Sequence, residues 1–183
     1  TKGAVDFKVY YNWSQGDEQD VLRKIRLGSL QGGIFTGKTL GDINGDVRAI
    51  EVPFTFSSSL EKSQKVLKAM MPAFDQKFEQ NKFKNIAMFE IGQVYLVTQK
   101  KVTDLNGIKN LKIWSWDGDP VVSTMFESMK LNGVPLALPD VLSSLTTGVV
   151  EAAYAPPLGI IALQWNTKVK YIIDFPISFS VGA

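Results

Sequence analysis

The stretch Pro139-Asp140-Val141-Leu142-Ser143-Ser144-Leu145-Thr146-Thr147-Gly148-Val149-Val150-Glu151-Ala152 decides the fold class. Its first part predicts a helix that proline opens and Gly148 stops, because proline suits a first helical position and glycine suits the residue past the last. Residues 149–155 then change to a short β-branched and small-residue run, which predicts a strand. The pattern continues on both sides. Downstream, Pro156 to Trp165 reads as a short helix and Val169 to Phe175 as a strand. Upstream, Lys109 to Trp116 reads as a strand, and a helix is expected from the Asp119-Pro120 cap to a stop at Asn132-Gly133.

The same alternation extends toward the start of the chain. Ile86 to Phe89 and Gln93 to Thr98 predict strands. Ser58 and Glu61 have capping-box spacing at the head of a helix in which Leu67, Met70, Met71, Phe74 and Phe78 recur every three or four residues. That spacing makes them core residues rather than a cofactor box, and Pro72 should kink or divide the helix. Phe54 and Phe56 alternate at the end of an apolar run over 50–56. Asp17 to Leu27 has acids in its first turn, Arg23, Lys24 and Arg26 in its last, and Gly28 as a stop. Phe7, Val9 and Tyr11 alternate with polar neighbours as a strand would. Alternating strands and helices predict an α/β fold with largely parallel sheets, and the boundary between two lobes is expected near Tyr95 to Asp104.

Composition narrows the chemistry. The 183 residues are 45% hydrophobic with a net charge of +2, enough for real cores and without a basic stripe that would mark a nucleic-acid partner. The absence of His and Cys excludes a Ser-His-Asp triad, cysteine nucleophiles, thiolate zinc sites and imidazole general bases. No apolar run approaches the roughly 20 residues of a membrane span. Gly32, Gly33 and Gly37 lack phosphate-loop spacing and no helix start is read after them.

Several segments resemble the DctP-like extracytoplasmic solute-binding subunits of TRAP transporters. They are Gly16-Asp17-Glu18 with Ile25-Arg26-Leu27-Gly28, Val52-Pro53-Phe54-Thr55-Phe56, Asp104 to Lys109 and, above all, Pro139 to Ala152. The resemblance implies a two-lobed periplasmic-binding-protein-like α/β fold that closes like a hinge on a small molecule and delivers it to an integral-membrane permease. It implies no cofactor, no metal and no catalytic residue. It also implies a truncated fragment, with residues 1–97 a partial first lobe, 98–178 the second lobe and 179–183 the start of a return crossover. A signal or lipid-anchoring segment is expected to have preceded Thr1. An open sheet edge in such a fragment is expected to favour a homodimer or segment swap.

Members of the family place an Arg shortly after a Gly-x-Lys in the second lobe, where its fork holds a substrate carboxylate. Here the equivalent position is Leu111 or Trp114. Trp at that position, with Pro156-Pro157 followed by Gln164-Trp165, resembles a subgroup whose ligands are expected to be neutral or apolar. The candidate ligand-binding residues are therefore Trp114, Trp116, Asp117, Tyr154, Pro156, Gln164, Trp165, Phe54 and Phe56. Trp114 and Trp116, two apart in a strand, should share a face, which is either a cleft wall or core. Trp165, Phe54 and Phe56 have the same two readings. Asp117 lies where a strand hands over to a helix, a usual ligand position in open α/β sheets, while Asp119 reads as a helix cap. A calcium site there lacks ligands, since that ion takes six or more oxygens. A glycosidase-like enzyme would need two facing acids, and a ligand-sensing receptor module would share the lobes without the transporter.

Overall fold

A computed structural model describes residues 3–56 and 59–183. The chain forms two compact units, residues 1–33 and residues 34–183. The first contains helix α1 (Glu18–Arg26), capped as its sequence predicts: Asp17 accepts from the Asp20 backbone N–H at 2.9 Å, and Gly28 follows at φ 75°. No strand forms over residues 5–11. Phe7 and Tyr11 are largely exposed there, because period-two alternation makes a strand only where a neighbouring chain offers its hydrogen-bonding edge.

The second unit opens with helix α2 (Gly37–Ile43), a 3-10 helix over Gly45–Glu51 and helix α3 (Leu60–Gln80). Two expectations fail here. Residues 32–37 precede a helix start after all, and Phe54 and Phe56 lie in turns rather than a strand, with Phe54 in the left-handed region at φ 62°. Ser58 lies outside the described residues; α3 is capped by Ser59, which accepts from the Lys62 N–H at 3.3 Å. Pro72 does not divide α3, which runs on through it. An interior proline costs about 3 kcal/mol, but Leu67, Phe74 and Phe78 are all buried on one face. At about 1.5–3 kcal/mol per large apolar side chain, that burial outweighs the cost.

Strand β1 (Phe89–Thr98) takes in the strand expected over Gln93 to Thr98 and extends it back to Phe89, whereas residues 86–88 of the other expected strand form none. It is followed by helix α4 (Leu105–Lys109), strand β2 (Lys112–Trp116), helix α5 (Pro120–Met129), strand β3 (Asn132–Leu136), helix α6 (Val141–Thr147), strand β4 (Ala152–Ala155), helix α7 (Pro157–Ala162), a 3-10 turn at Trp165–Thr167, strand β5 (Tyr171–Ile172) and strand β6 (Ser178–Gly182). Asn132-Gly133 begins β3 instead of ending α5, whose stop is Lys130 in the left-handed conformation. Gly148, at φ 77°, ends α6 as read from the sequence. The sheet order is β3-β2-β4-β1-β5, with β6 also on β1. Only β3, β2 and β4 are mutually parallel, whereas β1 runs antiparallel to β4, β5 and β6.

The strand β1 belongs to two neighbourhoods. Residues 89–94 pair with β6, and residues 95–98 pair with β4 and β5. Between Glu90 and Gly92 the β6 register shifts, and Gly92 takes φ 123°, a conformation open to glycine but strained for other residues. Around β2 and β4 the core splits across the sheet. Trp114, Val141, Leu145, Val150 and Trp165 pack on the α6 and α7 side, and Leu111, Ile113, Val122 and Phe126 pack with Leu96 on the other.

Candidate functional site

Where the two neighbourhoods of β1 meet, a cavity of about 180 Å³ opens between aromatic and polar walls. The aromatic wall is built by β2, β4 and the segment after α7. Trp114 and Trp116 share a face of β2, as their spacing predicts, with ring centroids 5.6 Å apart. Trp114 also stacks on Tyr154 at 4.9 Å and meets Trp165 edge-on at 5.4 Å. Its indole N–H donates to the Leu136 carbonyl at 3.0 Å, and the Tyr154 hydroxyl accepts from the Trp116 backbone N–H at 3.2 Å. These bonds satisfy the polar ends of rings that otherwise present apolar surface. Burial pushes the Tyr154 phenol above its ordinary range.

The opposite wall comes from α2, the 3-10 helix before α3, and β6. Thr36, Gly37, Arg48, Glu51, Ser178 and Ser180 line it. Arg48 donates through Nη1 to Glu51 Oε2 and through Nη2 to both oxygens of Asp119, at 2.8 and 2.6 Å. Both carboxylates are buried, with Glu51 7% and Asp119 3% exposed. The Val181 N–H donates to the other Glu51 oxygen at 3.0 Å. Desolvation dominates Glu51 and raises its pKa to about 7, although Arg48 and the Val181 N–H pull it down. Gly37 and Gly41 shape a groove for this ion pair. A Cβ at Gly41 would sit 2.7 Å from Arg48 Cγ and 2.9 Å from Cδ, and a Cβ at Gly37 would collide with Glu51 and Nη1.

Of the residues singled out in the sequence, Trp114, Trp116, Tyr154, Pro156 and Trp165 meet at this cavity. Trp114 and Trp165 are each 1% exposed, so they serve as core and cavity wall together. Leu111, the other position equivalent to the family's Arg, packs on the far face of the sheet. Asp117 and Gln164 are exposed and do not line the cavity. Asp117 sits in the turn beyond β2, and Gln164 in a left-handed turn at φ 59°. Phe54 packs 6.1 Å from Phe175 and lines two other apolar cavities, of about 450 and 240 Å³, that share Met125 and Met129; Phe56 lines none of the three. Arg48 and Glu51 were missed. The signal was a charged pair at i, i+3 interleaved with Val47 and Ile50, both 0% exposed, which places charges beside core residues. Asp119 does cap α5, accepting from the Val121 and Val122 N–H groups at 2.9 and 3.2 Å, while also holding Arg48.

No group of His, Cys, Asp and Glu among the described residues is arranged to hold a metal, and no helix among them is long and apolar enough to cross a membrane. Residues 1–176 match the bacterial extracellular solute-binding protein family 7, DctP, and the chain belongs to that family. The family is one of solute-binding transport proteins rather than enzymes, which sets the glycosidase reading aside. The chain is 27% identical over 154 residues to a solute-binding protein of Chromohalobacter salexigens, covering 84% of this chain and 46% of that protein. With one from Roseobacter denitrificans the figures are 25% over 177 residues, 94% and 53%.

The fold matches a TRAP periplasmic solute-binding protein of Chromohalobacter salexigens with bound D-glucuronate at a TM-score of 0.88 and 22% identity, over 99% of this chain and 60% of that one. An extracytoplasmic solute receptor of Bordetella pertussis binding pyroglutamic acid matches at 0.85 and 25% identity, over 100% and 60%. The chain thus spans about half the length of the sequence relatives and three-fifths of the solved chains.

Proposed function

We propose that the chain is the ligand-capturing part of the periplasmic solute-binding subunit of a TRAP-type transporter, and that its solute is a small, uncharged, largely apolar organic molecule. The lobes divide along β1, with residues 1–97 in the first and 98–178 in the second. Closure about β1 brings the Arg48–Glu51 wall onto the aromatic wall, and the closed form docks on the membrane permease. A cavity of about 180 Å³ is small beside ordinary ligand pockets of about 300–1,000 Å³, which favours a compact solute.

The observation that carries the charge assignment is the state of Arg48. Among the described lining residues it is the one cation, and two buried carboxylates already hold it. A ligand acid would enter a cluster whose one cation is already matched by buried carboxylates, against rings whose surface is mostly apolar. The bound glucuronate and pyroglutamic acid of the similar structures favour the opposite reading, an acidic solute. Native mass spectrometry of the protein purified in its full natural length from its source, with release and identification of the bound molecule, separates the two. A stoichiometric neutral compound is expected; a small carboxylate would overturn the charge assignment.

A further inference from the structure

Asp119 lies 71 residues from Arg48 in the chain, at the head of α5, and takes its Nη2 while Glu51 takes Nη1. Its carboxylate is 3% exposed, with Oδ2 on Arg48 Nη2 and Oδ1 shared between that nitrogen and the two N–H groups of the helix start. The guanidinium is pinned along its length by the Gly37 and Gly41 groove, and its Nε–H is buried with no partner among the described residues. Arg48 therefore lines the cavity with its Nη2 occupied by an acid of the protein itself. That is the geometry of a carboxylate receptor filled from within.

We propose that Asp119 is the specificity-determining residue of the cavity: it occupies the Arg48 guanidinium in place of a ligand carboxylate, so that the site refuses acids while it is present and accepts them when its charge is removed. The proposal rests on the reading of this cavity as the solute site, and it goes further by naming the residue that sets ligand charge and the change that reverses it. Specificity here is exclusion: a competitor must leave a buried Asp119 unpaired, and a buried charge stripped of its partner is strongly penalised.

Asp119→Asn tests this, because Asn caps helices as well as Asp does and keeps the acceptor for the Val121 and Val122 N–H groups. The probes are benzoate and benzyl alcohol, an acid and a neutral molecule of nearly the same shape. Both are titrated calorimetrically at pH 6, where the raised pKa of Glu51 keeps that group mostly protonated in the wild-type protein. The full natural-length D119N protein should bind benzoate at least roughly tenfold more tightly than wild type, as expected for a newly available hydrogen bond to a charged group. Benzyl alcohol should show no comparable gain, and adding Arg48→Met should abolish the gain for benzoate.

An unchanged benzoate affinity in folded D119N, or a gain that survives R48M, would overturn the inference. Asp119→Ser, also a good cap, repeats the test if D119N does not fold. Benzyl alcohol binding by wild type checks the underlying cavity assignment separately: its absence would count against that assignment, whereas the benzoate comparison alone judges Asp119.

Discussion

Replacing Glu51 by Gln should flatten part of the pH dependence of stability. In the folded protein Glu51 keeps its proton up to about pH 7, against 4.5 for an ordinary glutamate, chiefly because it is buried. Between those values the folded chain binds more protons than the unfolded one, so stability falls as pH rises and is fully reduced above pH 7. A displacement of about 2.5 in pKa at about 1.36 kcal/mol per unit corresponds to a loss of about 3 kcal/mol between pH 4.5 and 8. Because Glu51 is only 7% exposed, solvent screening removes little of that. Urea unfolding of wild type and E51Q across pH 4.5–8 isolates the term as the difference between the two curves, since other titrating groups are common to both. The expected difference changes by about 3 kcal/mol over this range, in favour of E51Q at the alkaline end. Parallel curves would refute the reasoning, and would mean that Arg48 and the Val181 N–H compensate the burial of this carboxylate in full.

Two further outcomes are expected. Trp114→Phe keeps a ring against Tyr154 and Trp165 but strips the Leu136 carbonyl of its indole donor, which should cost about 1–3 kcal/mol in urea unfolding. Gly41→Ala, which in an open helix would stabilise by about 0.5–1 kcal/mol, should here destabilise, because its methyl would press on Arg48 and loosen the bonds to Glu51 and Asp119; a thermal melt showing net stabilisation would mean that Arg48 relocates freely.

Local chemistry was legible in the sequence, and distant partnership was not. Asp17, Asp119 and Gly148 mark helix ends through side-chain caps and backbone conformations that act over one or two turns, so reading them needs no tertiary knowledge. Trp114 and Trp116 were placed on one face by strand geometry alone. The failures share one cause. Whether residues 5–11 become a strand depends on a neighbour that local pattern cannot supply, and the extension of the strand expected over 93–98 back to Phe89 depends on its ladder with β6. The polar wall was hidden for the same reason. Arg48 and Glu51 look like an ordinary helical surface pair until Val181 and Asp119, 130 and 71 residues away from Glu51 and Arg48 respectively, close around them. Asp119 itself was identified by its local role, as a cap, while its second bond was invisible.

The return of β6 to β1 also governs how the molecule is made. Val94 pairs with Ser178, so one half of β1 precedes its partner by 84 residues, with β2 to β4 and their helices in between. Until that partner joins, the first half of β1 has an uncovered edge, the kind of surface on which chains aggregate, and the Glu51 wall lacks the Val181 N–H that holds it. The second neighbourhood can assemble meanwhile, nested inside the unfinished first. Chain order therefore supplies the aromatic wall before the polar one, which closes only when Ser178 to Gly182 reach β1.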